Sequence, residues 1–161
     1  MARSSFTPAE MAEVVGETFV SDWIVMDQQR INEYGHTTED LDPAHMDPLW
    51  CKENSPWGGP IAFGFLTVGM LTRMLYDVYK YPLDGDAETE GYPVNFGFDK
   101  LRLIEPVQAG ARVRGHFTVA RVVERKPGQM VMTLDTTVEI EGKEKPALAA
   151  EWLAMWVKPK A

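Results

Sequence analysis

The segment from Ile61 to Tyr79 constrains the fold most strongly, because it is apolar on nearly every side. Its only charged residues, Arg73 and Asp77, come near its end. These charges and its marginal length argue against a membrane span, so we interpret it as a buried helix that begins with Pro60. A helix that is apolar all round has to be enclosed by other parts of the chain.

The second half of the chain supplies the elements that could enclose this helix. Four long stretches are rich in β-branched and aromatic residues, and Pro and Gly turns separate them: Val94 to Ile104, Arg112 to Val123, Met130 to Glu141 and Leu148 to Val157. Consecutive strands with short turns predict an antiparallel meander. We therefore expect an α+β fold in which a curved antiparallel sheet wraps around one long hydrophobic helix. Such a sheet keeps an open edge, which predicts a homodimer or higher homo-oligomer.

The first sixty residues are expected to contain shorter elements. The sequence Thr7-Pro8-Ala9-Glu10 has the spacing of a capped helix start, which predicts a leading helical segment within residues 1–18. A strand over Phe19 to Met26 and a helix from Asp27 to Gly35 should follow. Residues 36–60 are polar and rich in turn residues, so we expect a long irregular region there, and long ordered loops are usually functional.

Length and charge bound the function classes. The 161 residues are expected to form one domain over 1–161. A net charge of −8 argues against nucleic acid as a partner. The single cysteine, Cys51, excludes an internal disulfide and a multi-Cys zinc site, and the N-terminus lacks the apolar core of a signal peptide, so we expect a cytoplasmic protein with no membrane contact.

Candidate catalytic residues are few, because the chain has three histidines. We interpret His36 as a favourable charge near a helix end and His116 as a structural or surface residue of a strand. His45 stands in the run from Asp40 to Pro48, which contains three aspartates. From residue types alone this run could be a site, or Asp42 could cap a helix before Pro43 while the other carboxylates are solvated.

Other chemistries find little support. The aspartate run lacks the ligand spacing of a calcium loop, and there is no HExxH or Cys pair, so no metal site is expected. No Lys-Ser or Lys-Thr follows Gly58-Gly59-Pro60, and there is no GxGxxG, so no nucleotide cofactor is indicated. We interpret Cys51 as a small buried residue.

Several motifs occur in an order that carries a family resemblance. The first two are Asp40-x-Asp42-Pro43-x-His45-x-Asp47 and Gly58-Gly59-Pro60-Ile61-Ala62-Phe63-Gly64-Phe65-Leu66; later ones are Val94 to Arg102, Pro106-Val107 with Gly110, and Lys145-Pro146-Ala147 running into Ala150-Glu151-Trp152. The first two resemble the hydratase motif of the MaoC-like dehydratase family, and the later ones resemble its NodN-type branch. The resemblance spans about residues 19–157 and implies the hot-dog fold of that family.

The resemblance implies (R)-specific hydration of a trans-2-enoyl-CoA, or the reverse dehydration of a 3-hydroxyacyl thioester. Asp40 and His45 match the family's catalytic pair, which fits a reaction that needs a base to activate water and an acid to protonate Cα. We expect Asp40 to be the base and His45 to supply or relay the proton. Gly64 matches the family's oxyanion position, where the N–H of an early helical residue has no intrahelical acceptor. Coenzyme A would be part of the substrate, with no separate cofactor.

Two residues depart from the family pattern and bear on substrate binding. Asp42 replaces the usual Asn, and Phe63 replaces the usual His, which makes the pocket wall more apolar. With Phe65 and Trp57 they are the expected substrate-binding residues. Asp42 adds a negative charge near Asp40 or caps the turn, and the three aromatic residues either shape an acyl tunnel or belong to the core.

Charge segregation suggests where the remainder of the substrate binds. The chain has 5 basic and 17 acidic residues up to Asp99, against 11 basic and 7 acidic residues after it. A local positive face could hold the phosphates of coenzyme A or an acidic acyl carrier protein. Lys100 and Arg102 are the first candidates for that contact, since they lie in a segment that matches the family.

Two other functions remain open at this point. A hot-dog thioesterase would use a carboxylate to direct water at the thioester carbonyl and would release free coenzyme A. A non-catalytic acyl-thioester-binding or interaction subunit is favoured if Phe63 marks a degenerate site.

Overall fold

The computed structural model describes residues 5–80 and 91–157. The acidic loop that the sequence predicts from Leu83 to Gly91 lies outside these residues, apart from Gly91 itself. The helices are a 3₁₀ helix Pro8–Glu10, α1 Gln28–Thr38, α2 Pro43–Met46, α3 Pro48–Asn54 and α4 Gly64–Val78. The strands are β1 Thr18–Val20, β2 Ile24–Val25, β3 Tyr92–Leu103, β4 Arg112–Lys126, β5 Gln129–Ile140 and β6 Leu148–Val157.

Within the described residues, all six strands belong to one antiparallel sheet. The strand order is β1-β4-β5-β6-β3. The short strand β2 pairs with residues 112–113 of β4, just before the residues of β4 that pair with β1. The predicted meander is confirmed for β4, β5 and β6, whereas β3 pairs with β6 at the far edge. The chain reaches β4 from β3 across the end of the sheet, where the Ala62 N–H donates to the Val107 carbonyl (2.7 Å) and the Ala109 N–H donates to Pro60 (2.9 Å).

One face of the sheet packs on α4. Burial alternates along β6, as it must when one face of a strand is covered and the other is open. The helix contributes a buried face of Leu66, Thr67, Met70, Leu71, Met74, Leu75 and Val78. Each fully buried apolar side chain of this size stabilises the fold by about 1.5–3 kcal/mol. The curved sheet around one helix is therefore the architecture that the sequence predicts.

The helix α4 differs from the prediction at its start and on one face. It begins at Gly64 and not at Pro60, because residues 60–63 are extended and pair with residues 107–109. It is also not enclosed all round within this chain. Phe65, Gly69, Arg73 and Tyr76, spaced three or four residues apart, form an exposed stripe. No helix among residues 5–80 and 91–157 is long and apolar enough to cross a membrane.

The early elements need three corrections. The leading segment contains only a 3₁₀ helix where it is described, although Thr7 and Glu10 form the predicted capping contact at 2.9 Å. The predicted strand over residues 19–26 is broken into β1 and β2. Between them Ser21 binds the β4 backbone, since its N–H donates to the Gly115 carbonyl and its Oγ accepts from the Gly115 N–H, both at 2.9 Å.

The third correction concerns the end of α1, which the sequence places at Gly35. The helix continues to Thr38, and Glu39 ends it with a φ of 60°. Gly35 is instead needed for a close approach: a Cβ at this position would lie 2.9 Å from the Asp40 carbonyl oxygen and 2.5 Å from the Met46 sulfur. The predicted helix end at Gly35 is therefore wrong, because this glycine lies inside the helix.

Candidate active site

Two short helices, α2 and α3, lie within the region that the sequence predicts to be irregular, and they position His45. Asp42 caps α2, its carboxylate accepting the Ala44 N–H at 2.8 Å, and Asp47 caps α3. This places Asp42 as the helix cap, one of the two roles that the sequence allows. Cys51 is buried, as expected, and its thiol donates to the Pro43 carbonyl of α2 at 3.2 Å. Burial, followed by the nearby charges of Asp47 and Asp42, raises the pKa of this thiol.

The imidazole of His45 is held in one tautomer. Its Nδ1 lies 2.7 Å from the Ile61 carbonyl oxygen. A carbonyl oxygen can only accept a hydrogen bond, so Nδ1 carries the proton and donates it. In the neutral ring Nε2 is then the nitrogen with a free lone pair, available to accept a proton.

Aromatic packing fixes the plane of that ring. The Phe63 ring centroid lies 3.9 Å from the His45 centroid with an interplanar angle of 34°, and the Tyr34 ring lies 5.1 Å from Phe63. Phe63 is only 4% exposed. It therefore lies beneath the imidazole as a support, and it is not one of the residues that line the neighbouring cavity.

A cavity of about 240 Å³ adjoins His45 at the N-terminal end of α4. Its wall is formed by His45, Trp57, Ile61, Ala62, Gly64, Thr67, Leu103, Ile104, Glu105, Pro106, Val107 and Ala147. Most of these side chains are apolar, and the polar ones come from His45, Thr67 and Glu105. A cavity of this kind, apolar with a few polar residues in its wall, is typical of a small-molecule site.

Gly64 is the first residue of α4 and lines this cavity. The N–H groups of the first helical turn have no intrahelical acceptor, and the helix dipole favours negative charge beside them. A Cβ on Gly64 would lie 2.3 Å from Cδ1 of Leu103, so a side chain here would displace the cavity wall. The glycine thus keeps both the N–H and the cavity accessible.

Of the other sequence candidates, Trp57 lines the cavity, whereas Asp40 and Phe65 do not. Asp40 is exposed, its carboxylate accepts the Asp42 N–H at 3.3 Å, and it is not among the residues that line the cavity. Phe65 is 69% exposed on the open stripe of α4. Trp57 does line the cavity, and its carbonyl accepts from Gln108 at 2.7 Å.

Lys100 and Arg102 face away from this cavity. They line a separate groove of about 390 Å³ on the outer side of the sheet, together with residues of β4, β5 and β6. Lys100 forms an ion pair with Glu151, which raises the pKa of the lysine. The structure therefore does not bring these two cations together with His45.

The remaining histidines fit the roles expected for them. His36 is exposed in the second half of α1. His116 lies on the outer side of β4, where its Nε2 is 2.7 Å from a Glu139 carboxylate oxygen that also accepts from Arg114 at 2.6 Å. The Arg114 hydrogen bond, helped by His116, lowers the pKa of Glu139. Among the described residues no three His, Cys, Asp or Glu side chains gather as a metal site would require.

Sequence reasoning missed the two other polar residues of the cavity, Thr67 and Glu105. Thr67 lies within the apolar segment that predicts α4, and Glu105 lies between the residues that predict β3 and Pro106. Neither position has a local pattern that indicates a site. The one available signal was the proximity of Glu105 to Pro106-Val107, a motif that the family resemblance already included.

A curved antiparallel sheet around one helix, with a histidine-lined cavity at the start of that helix, defines the chain as a hot-dog protein. Solved structures share this fold. The monoamine oxidase regulatory protein from Archaeoglobus fulgidus superposes with a TM-score of 0.72 at 22% identity, covering 99% of both chains. The (R)-hydratase from A. caviae involved in PHA biosynthesis superposes with a TM-score of 0.68 at 22% identity, covering 91% of this chain and 96% of its own.

The family follows from the sequence match. Residues 10–142 match the MaoC like domain, and the chain belongs to that family. It is 37% identical over 149 residues to nodulation protein N of Rhizobium meliloti, covering 91% of this chain and 89% of the relative. It is also 33% identical over 150 residues to 3-hydroxyacyl-thioester dehydratase Z of Mycobacterium tuberculosis, covering 92% and 95% of the two chains.

Proposed function

We propose that the protein hydrates trans-2-enoyl thioesters with (R) specificity, or dehydrates the corresponding 3-hydroxyacyl thioesters. The observation that carries this proposal is the His45 contact with the Ile61 carbonyl, because it leaves Nε2 as a proton acceptor on the wall of a cavity beside a helix N-terminus. Family membership supports the same reaction class, since one relative is a 3-hydroxyacyl-thioester dehydratase.

In this mechanism water adds across the conjugated double bond. The water oxygen forms a bond to Cβ while its proton passes to the base, and the electron pair of the double bond moves toward the thioester oxygen. The Gly64 N–H, at the start of α4, is proposed to stabilise that negative charge. Protonation of Cα by the acid then completes the addition of one water molecule.

The proton transfers are assigned to His45 and Asp40 on different grounds. Geometry supports His45, whose Nε2 is the free nitrogen beside the cavity. The motif alone supports Asp40, which stands five residues before His45 in the pattern shared with the family and does not itself line the cavity. We propose that His45 activates the water and Asp40 serves the second transfer, which exchanges the roles expected from sequence.

The substrate would be an acyl thioester of coenzyme A or of an acyl carrier protein, with no separate cofactor. We propose that the exposed Trp57 at the cavity contacts this substrate.

A second copy of the chain is proposed to bind the open stripe of α4, which includes Phe65, and the edge strand β3. A homodimer in the cytoplasm is the state in which we expect this chemistry. No role in the reaction is assigned to Lys100 or Arg102.

The decisive experiment follows the loss of enoyl absorbance when purified protein is mixed with crotonyl-CoA and with longer enoyl-CoAs. We expect His45→Gln and Asp40→Asn each to lower the rate by about 10²-fold or more, as is usual for a lost general acid or base. His36→Gln, in an exposed histidine of α1, is the matched control and should keep full activity. Activity that survives both site substitutions would refute the assignment.

The same assay separates the alternatives. A thioesterase would release free coenzyme A, which a thiol reagent detects, without adding water to the double bond. A non-catalytic acyl-thioester-binding subunit is favoured by one observation, the phenylalanine that replaces the family's usual histidine beside His45. Binding of enoyl-CoA with no hydration at any chain length would support that function.

A further inference from the structure

Glu105 is a titratable residue of the cavity to which the mechanism assigns no role. It follows the end of β3, and the N–H of its neighbour Ile104 donates to the Ala147 carbonyl at 2.8 Å, which anchors the backbone at the cavity wall. The residue is half-buried. Within residues 5–80 and 91–157, no cation or hydrogen-bond donor contacts its carboxylate.

A half-buried carboxylate without a partner favours a ligand that brings a hydrogen-bond donor. Removal of such a group from water is unfavourable unless the lost hydrogen bonds are replaced. The apolar walls cannot replace them, and the hydroxyl of Thr67 is directed to the Phe63 carbonyl at 3.4 Å. Water serves this carboxylate while the cavity is empty, so a ligand that displaces the water has to supply the donor itself.

The cavity thus presents two polar features of opposite character. The N-terminus of α4 at Gly64 offers a donor and a partial positive charge, which suits a carbonyl oxygen and disfavours a cation. Glu105 offers an acceptor on the same wall. A neutral ligand with a carbonyl oxygen and a nearby N–H matches both features.

We propose that Glu105 accepts a hydrogen bond from the first amide N–H of a pantetheine arm and positions the thioester carbonyl at Gly64. In such an arm the amide nitrogen lies only three bonds from the thioester sulfur, so a small cavity can bind both groups at once. This inference rests on the proposed function in one respect, that the ligand is an acyl thioester. Glu105 is a positioning residue, because it binds the arm and takes no part in proton transfer.

The experiment measures binding without turnover. Butyryl-CoA is saturated and cannot be hydrated, so calorimetric titration reports its affinity whether or not the protein is a hydratase. We expect Glu105→Ala to raise the Kd about 10-fold, as for the loss of one hydrogen bond to a charged group. Glu105→Gln should stay within about 3-fold of wild type, because its amide oxygen still accepts. Glu144→Ala, in an exposed glutamate of the β5–β6 turn, should bind as wild type does.

A pair of truncated ligands identifies the group that Glu105 binds. S-butyryl N-acetylcysteamine keeps the amide, and S-propyl thiobutyrate lacks it. Wild type should prefer the first about 10-fold, and Glu105→Ala should lose this preference. If the alanine variant weakens both ligands equally, Glu105 is structural and the inference is overturned.

The outcomes also separate this inference from the proposed function. Hydration activity together with unchanged binding by Glu105→Ala would overturn the inference alone. An amide preference that depends on Glu105, in a protein that hydrates no enoyl-CoA, would support the inference and refute the hydratase proposal. No binding of butyryl-CoA by wild type, in a protein that also hydrates no enoyl-CoA of any chain length, would refute both.

Discussion

At the scale of single residues, Gly64 is the position where the smallest change should have a specific effect. We expect Gly64→Ala to lower the hydration rate by about 10-fold or more, because the new Cβ would lie 2.3 Å from Leu103 and shift the cavity wall. Stability should change little, since Leu103 is 51% exposed and can rotate. Enoyl-CoA hydration by Gly64→Ala, Leu103→Ala and the double variant checks this.

The double variant distinguishes a steric effect from a lost donor. Leu103→Ala removes the clashing atoms, so activity should recover in the pair if the backbone N–H of residue 64 still serves the reaction. Unchanged activity of Gly64→Ala, or no recovery in the double variant, would contradict the steric explanation.

The sequence could predict that His45 belongs to a candidate site, but it could not predict that Glu105 lines the cavity. The run Asp40 to Asp47 is local, and its Asp42-Pro43 step predicts the cap of the helix that carries His45, whereas the cap at Asp47 was not predicted. Whether the side chain of Glu105 lines a cavity depends on where the end of β3 lies relative to α4, which is a tertiary relation. A single glutamate before a proline carries no sequence pattern that encodes it.

At the scale of elements, the packing of α1 against the Asp40 to Met46 turn depends on Gly35. We expect Gly35→Ala to destabilise the protein by about 1–3 kcal/mol, because its Cβ would approach the Asp40 carbonyl oxygen to 2.9 Å and force the backbone to move. The midpoint of urea denaturation measures this. Gly59→Ala is the matched control, since no atom lies within 4 Å of its Cβ position and its φ lies outside the left-handed range, so the denaturation midpoint should stay the same.

The sequence predicts the strand boundaries well and two of the helix boundaries wrongly. The strand periodicity of β4, β5 and β6 is set by burial on one face, and the sequence places these strands correctly. Gly35 and Pro60 have local signals of a helix end and a helix start, yet long-range contacts override both. Pairing of residues 60–62 with residues 107–109 delays α4 until Gly64.

At the scale of the whole molecule, helix α4 and the edge strand β3 both expose apolar side chains. On α4 and β3 the described residues expose Phe65, Tyr76, Tyr92, Phe96, Phe98 and Leu103. A long edge strand flanked by apolar side chains is a template for pairing with another chain. A second copy bound here would cover the edge by two-fold symmetry.

Self-association through this edge can be tested with one charge. We expect the wild type to sediment as a dimer or larger assembly, and Phe96→Glu to shift it toward monomer. The monomer should stay folded, because Arg125 lies over the Phe96 ring at 5.0 Å and can bind the new carboxylate. Val123→Glu is the control at similar exposure, 45% against 43%, on β4 and not on the proposed interface strand β3. A dimer that tolerates Phe96→Glu would contradict this interface.

The thiol of Cys51 gives the short helices a measurable lifetime. The sulfur is buried, and its thiol is hydrogen-bonded to the carbonyls of Pro43 and Ala44. A reagent in solution can therefore reach it only when α3 moves away from α2. The rate of labelling therefore reports how often the segment that carries His45 opens, independently of unfolding of the sheet. A ligand that stabilises the site would slow this labelling, so the labelling rate of Cys51 measures how the site moves and how a ligand restrains it.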